Sequence, residues 1–199
     1  MKKICVFGAS ITSGLNDYEH GGWCGRLKKE LLKQDIEVIN LGVSGNDTND
    51  LLNRFDAECE RHKPDVIIIA IGGNDTHYLM DENRARVSLS QSEENFRNLI
   101  HQAKNYTDQI ILIGLTKVDE KEINERFAGP KKISYKNETL EAYDQMIERV
   151  SKDLDLLFIS TIDLIDEADL DDGLHPGAEG HMKIYNRVMS YHGNVLPKQ

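Results

Sequence analysis

Ser10 sits in a short run with a glycine at each end, Gly8-Ala9-Ser10-Ile11-Thr12-Ser13-Gly14, directly after the apolar stretch Ile4-Cys5-Val6-Phe7. Other segments have the same character. Gly42-Val43-Ser44-Gly45-Asn46-Asp47-Thr48 and Gly72-Gly73-Asn74-Asp75 each follow an apolar run. Asp171-Asp172-Gly173-Leu174-His175-Pro176 lies nearer the C-terminus. Together these segments hold a serine hydroxyl, glycine backbone that a ligand can approach, a side-chain amide, and an Asp shortly ahead of a His. Acyl transfer needs those parts: a nucleophile, a base with a group to orient it, and donors for an oxyanion. A Ser hydroxyl is a poor nucleophile at neutral pH until a base takes its proton. The weight of Ser10 therefore depends on the Asp/His pair.

Composition narrows the field. The chain has 199 residues, with 24 Lys+Arg against 34 Asp+Glu, a formal charge of −10. That balance argues against a nucleic-acid partner or an anionic membrane surface, which would repel the protein at long range. No apolar run approaches the ~18 residues of a spanning helix, and the N-terminal run stops at Gly8, too short for the core of a signal peptide. Of Cys5, Cys24 and Cys59, at most two can pair with each other, and none forms a CxxC. A reduced, cytoplasmic protein is expected. No His/Cys cluster has metal-ligand spacing, and the chemistry assembled above calls for neither metal nor cofactor. A nucleotide- or flavin-binding module is a rival reading, but Gly8 to Gly14 is neither GxGxxG nor a P-loop ending in Lys-Ser/Thr. The Gly-x-Ser-x-Gly elbow of α/β-hydrolases is also absent, since Ser10 is followed by Ile11-Thr12.

The elements that must position these residues follow from hydrophobic patterning. Lys3–Phe7, Glu37–Leu41, Val66–Ile71, Ile110–Leu115 and Leu156–Ile159 are short, rich in Ile, Val and Leu, and lack alternation. They read as parallel strands buried on both faces. Helices are predicted over Trp23–Lys33, Asn49–His62 (capped by Asp47 or Thr48), Gln91–Lys104, Tyr135–Ser151 and about Ala178 to Tyr191. For the third of these, Ser90 and Glu93 form a capping-box pattern. Strict alternation of strand and helix implies a three-layer α/β/α sandwich around a doubly wound, five-stranded parallel sheet, flavodoxin-like, in order 2-1-3-4-5. With no repeat or linker, a single domain over residues 1–199 is expected. Ligands in such folds bind beyond the carboxyl ends of the strands, which is where the four segments fall.

Taken in this order, the segments resemble the SGNH hydrolases, also called GDSL-type esterases and lipases, over nearly the whole chain. Phe7-Gly8-Ala9-Ser10-Ile11-Thr12 is similar to the first block of that family, which implies that Ser10 is the nucleophile. Asn40-Leu41-Gly42-Val43-Ser44-Gly45 looks like the second block and Gly72-Gly73-Asn74-Asp75 the third. The resemblance thus implies Gly45 and Asn74 as oxyanion donors, beside the Ser10 N–H. Asp172 and His175 match the acid and base. The implied activity is that of a serine esterase on a small-molecule ester. One departure is Ala9, where the family usually has an Asp whose carboxylate braces the nucleophile loop. It keeps open a second class, a weakly active or non-catalytic ester or carbohydrate binder.

Competing residues are weighed against these. His20 and His77 fall in rim loops and are the other candidate bases. His175 is preferred because Asp172 precedes it with Gly173 between, letting the loop fold back; Asp171 is the alternative acid. His181 is expected to pack or cap, and Asp75 to tie neighbouring loops. Trp23, Tyr78 and Leu79 are candidates to line an acyl pocket. The long rim segments Thr76–Leu89 and Thr116–Ile133 are the place for specificity. The second is strongly charged, which excludes a greasy lid and favours a short acyl group, such as acetyl, on a soluble alcohol or sugar.

Overall fold

A computed structural model describes residues 1–127 and 133–195. Its strands are β1 (Lys2–Gly8), β2 (Ile36–Gly42), β3 (Val66–Ala70), β4 (Tyr78–Leu79), β5 (Arg84–Ala85), β6 (Ile110–Ile113), β7 (Ile133–Ser134) and β8 (Leu157–Ile159). The helices are α1 (Ser10–Ser13), α2 (Gly22–Leu32), α3 (Thr48–His62), α4 (Leu89–Ala103), α5 (Glu120–Phe127), α6 (Asn137–Asp153), α7 (Ala178–Met189) and α8 (His192–Val195). The main sheet is parallel in order β2-β1-β3-β6-β8. Counted along its own strands, that is the expected order, in the expected three layers.

The absence of alternation in the sequence has a direct cause. Side chains of a strand point alternately to its two faces, and here both faces are covered. Cys5 and Phe7 enter one core with Leu51, Phe55, Phe96 and Met146, beneath α3, α4 and α6. Ile4 and Val6 enter the other with Trp23, Leu27, Ile184 and Val188, beneath α2 and α7. Cys5, Cys24 and Cys59 are buried and unpaired. Among the described residues no helix is long and apolar enough to cross a membrane.

Two helix starts lie two residues from expectation. α4 begins at Leu89, because Ser88 is extended and its hydroxyl accepts the Gln91 N–H at 3.2 Å; Ser90 lies within the first turn. α6 begins at Asn137 rather than Tyr135, since the Tyr135 main chain is held on both sides by the Asn124 amide. α3 is capped by Asp47, with Asp50 completing a capping box. The two long rim segments are not independent. They meet in a small antiparallel sheet, β5-β4-β7, and the charged segment carries α5. Residues 128–132 of that segment lie outside the described residues.

Candidate active site

At the end of β1 the chain turns at Gly8 into α1. A Cβ on Gly8 would overlap the Thr12 hydroxyl and the Ala70 carbonyl, so this close approach of β1 to its neighbours requires glycine. Ser10 is the first residue of α1, where an N–H has no partner within the helix. Among the described residues no protein group accepts it. The Ser10 carbonyl is fixed instead, accepting the Ser13 hydroxyl at 2.8 Å and the Leu15 N–H at 3.1 Å.

Facing Ser10 is the loop that leads into α7. His175 Nε2 lies 2.9 Å from Ser10 Oγ, and His175 Nδ1 lies 2.8 Å from Asp172 Oδ2. The other Asp172 oxygen accepts the main-chain N–H groups of Leu174 (3.1 Å) and His175 (2.7 Å). The loop folds back through Gly173 at φ +78°, a left-handed conformation that favours glycine, and Asp171 N–H donates to the His175 carbonyl. Burial alone would raise the Asp172 carboxyl. Hydrogen bonds from the His175 ring and from the His175 and Leu174 main chain outweigh it and hold Asp172 below the usual carboxylate range. The charged carboxylate keeps the proton on Nδ1 and leaves Nε2 as an acceptor toward Ser10. Asp171, the alternative acid, packs its carboxyl against Gly177.

Two further loops close the rim. Asn74 stands in a short 3-10 turn (Gly73–Thr76), and its Nδ2 donates to the Asn46 carbonyl at 2.8 Å, leaving its second amide hydrogen available. Below it Asp75 is fully buried. One of its oxygens accepts the Thr48 N–H (2.9 Å), the other the hydroxyls of Thr48 (2.7 Å) and Ser92 (2.6 Å). Burial pushes the Asp75 carboxyl up to about 6 despite these donors. The turn is thus locked onto the starts of α3 and α4. Gly45 adopts φ +83°, and no protein group among the described residues accepts its N–H. Its loop is laced to the Ser10 loop by Val43 N–H to the Gly8 carbonyl (3.1 Å) and Asn40 Nδ2 to the Thr12 carbonyl (2.8 Å).

Ser10, Asn74 and His175 line one cavity of about 80 Å³, walled by Trp23, Ile71, Ile113, Leu115, Tyr135 and Leu174 among others. Gly45 is not among the residues that line this cavity. Of the three apolar candidates Trp23 lines it, and Tyr78 and Leu79, on β4, do not. Tyr135 is a wall residue that sequence reasoning missed, its signal being an aromatic directly after Ile133-Ser134 in an otherwise charged stretch. Its hydroxyl is hydrogen-bonded to His77 Nε2. Burial, with Arg86 nearby, lowers His77 to about 4, so its imidazole is neutral and engaged away from Ser10. His20 is bound to Asp17 at 3.1 Å. His181 is buried and both packs and caps: Nε2 donates to the Leu15 carbonyl (2.9 Å) and Nδ1 accepts the Trp23 N–H (3.2 Å). Among the described residues His175 is the histidine that bonds to Ser10. No group of three or more His, Cys, Asp or Glu among the described residues is placed to hold a metal ion.

Residues 6–183 match the model of the GDSL-like lipase/acylhydrolase family. The chain belongs to that family. It is therefore a serine hydrolase acting on ester bonds, and its three-layer fold is that of the SGNH hydrolases. Among solved structures, it is similar to a lipase/acylhydrolase from Enterococcus faecalis, with 25% identity over 100% of both chains and a TM-score of 0.78. It also resembles an acetylxylan esterase from Geobacillus stearothermophilus, at 23% identity over 98% of this chain and 94% of that one, TM-score 0.75. A third similar structure is an α/β hydrolase enzyme from the metagenome of Lake Arreo, Spain, at 21% identity over 98% and 96% of the two chains, TM-score 0.76. Comparison with curated proteins gave no match.

Proposed function

We propose that this esterase removes a short acyl group, acetyl foremost, from a soluble alcohol or sugar through an acyl-enzyme on Ser10. His175 Nε2 takes the Ser10 proton as Oγ attacks the ester carbonyl. The N–H groups of Ser10 and Gly45 and the Asn74 amide stabilise the oxyanion. As the C–O bond breaks, His175 gives its proton to the leaving alcohol, then takes one from water as the water oxygen attacks the acyl carbon, and returns it to Ser10 Oγ as the acyl–Oγ bond breaks and the acid leaves. Asp172 stabilises the imidazolium at both stages. The observation that carries this reading is the unbroken relay from Asp172 through His175 to Ser10, at 2.8 and 2.9 Å.

The cavity supports the short acyl group. At about 80 Å³ with mostly apolar walls, it is a small cavity, which favours a short acyl group over a fatty chain. A similar solved structure is that of an acetylxylan esterase, which favours a sugar as the alcohol. The test is a panel of 4-nitrophenyl esters from acetyl to octanoyl. Highest kcat/KM at acetyl or propionyl, with a burst of 4-nitrophenol equal to the enzyme concentration, is expected. A rising kcat/KM toward octanoyl would overturn the short-acyl assignment. Ala9 favours the alternative, a non-catalytic ester or carbohydrate binder, for which there would be neither burst nor turnover.

A further inference from the structure

The Ala9 methyl packs against the core beneath α3, α4 and α6, so the residue before Ser10 offers no side-chain brace. A brace nevertheless exists, and it comes from the next helix. Arg54, in the second turn of α3, donates from Nη2 to the Gly8 carbonyl (3.2 Å) and from Nε to Asn46 Oδ1 (2.8 Å). Its Nη1 is held by Glu58, one turn on, at 2.7 Å. The guanidinium is 19% exposed at the side chain, so it is not a freely moving surface group.

We propose that Arg54 is a positioning residue that holds the oxyanion donors in register with Ser10. This rests on the assignment of Ser10, Gly45 and Asn74 made above. On one side Arg54 grips the Gly8 carbonyl, where β1 gives way to the Ser10 turn. On the other it grips the Asn46 side chain, while the Asn46 carbonyl accepts the Asn74 amide at 2.8 Å and the Asn46 N–H donates to Val43. Gly45 immediately precedes Asn46. One planar fork therefore spans the loop of the nucleophile and the loop that carries one donor and orients the other. Lysine cannot do this, because an ammonium is a point donor without the fixed divergence of a guanidinium. Donors aimed at a developing oxyanion lose much of their effect with displacements well under 1 Å. The role predicts a loss in kcat and little change in KM.

The experiment measures kcat and KM on 4-nitrophenyl acetate for Arg54→Met and Arg54→Lys, alone and with Asn74→Ala. Active sites are counted by labelling with a fluorophosphonate. Per labelled site, Arg54→Met is expected to lower kcat by about 10–100-fold, with KM within about 3-fold. In the Asn74→Ala background the same change should cost clearly less, because one of the two donors it positions is already gone. Arg54→Lys keeps the stem and the charge and is expected to fall between, which keeps the test open if Arg54→Met does not fold. A purely structural role would lower the melting temperature and the labelled fraction and leave kcat per labelled site unchanged. That result, or equal losses in both backgrounds, would overturn the proposal. Hydrolysis that persists once Ser10 is fully labelled would instead overturn the assignment of Ser10.

Discussion

Replacing Asp172 by Asn probes the relay at its most informative point. The variant keeps the side-chain shape, and its amide oxygen can still accept the Leu174 and His175 N–H groups now bound to Oδ1. The change falls on the other atom. An NH2 group takes the place of the oxygen that lies 2.8 Å from His175 Nδ1, and it can only donate there. The imidazole must then carry its proton on Nε2, which faces Ser10 Oγ at 2.9 Å, and an Nε2–H cannot accept the serine proton. Loss of the correct tautomer is worth on the order of 10⁴-fold in kcat where the same geometry is used, or about 5 kcal/mol of barrier. Substrate binding is untouched, so KM should stay within about 3-fold. Asp171→Asn is the control: its side chain packs against Gly177, and its effect on kcat should be under about 10-fold. The assay is steady-state hydrolysis of 4-nitrophenyl acetate with circular dichroism on each variant. A folded Asp172→Asn enzyme within about 10-fold of wild type, or a larger loss in Asp171→Asn, would refute the reasoning.

Asn74→Ala is expected to lower kcat about 10²–10³-fold with little change in KM, because an oxyanion donor acts in the transition state; a pure KM effect would contradict that role. Ala9→Asp places a carboxylate against apolar core, costing about 1–3 kcal/mol. The melting temperature should fall by roughly 3–10 °C for a chain of this size, and an unchanged or higher value would show that the position accepts an acid. His77 is held near 4 when folded, below its ordinary value of 6.5, so the unfolded chain binds its proton more readily between those pH values. Its contribution to stability is present above about 6.5 and is lost as pH falls toward about 4. Thermal melts across that range should show His77→Gln less acid-sensitive than wild type, and equal slopes would count against a neutral buried imidazole.

The main sheet was legible because burial on both faces writes a short, continuous, β-branched apolar run, as in Val66–Ala70, too short for a helix. Ser10 and Asn74 stand just past the ends of β1 and β3 and His175 in the loop leading into α7, and the three line one cavity on the side where the topology rule places ligands. Two-residue strands leave no such trace: nothing in Tyr78–Leu79, Arg84–Ala85 or Ile133–Ser134 has a period to read. α5 is only eight residues long and buries a single residue, Ile123, so it holds too few apolar positions for a helical period to be read. Arg54 was invisible for another reason. With Glu58 four residues on, it reads as an ordinary surface pair on a helix, and only the three-dimensional approach of α3 to Gly8 and Asn46 gives its remaining donors a purpose. Ser88 and Ser90 are equally good caps by sequence, and the choice between them depends on where the chain leaves Val87, which is buried.

The central claim is that Ser10 is the nucleophile activated by His175. Mass spectrometry of the intact protein and its peptides after reaction with a fluorophosphonate tests it most directly. A single adduct on the peptide containing Ser10, slowed by orders of magnitude in His175→Ala and absent from folded Ser10→Ala together with ester hydrolysis, is the expected result. An adduct on another serine, or hydrolysis retained by folded Ser10→Ala, would contradict it.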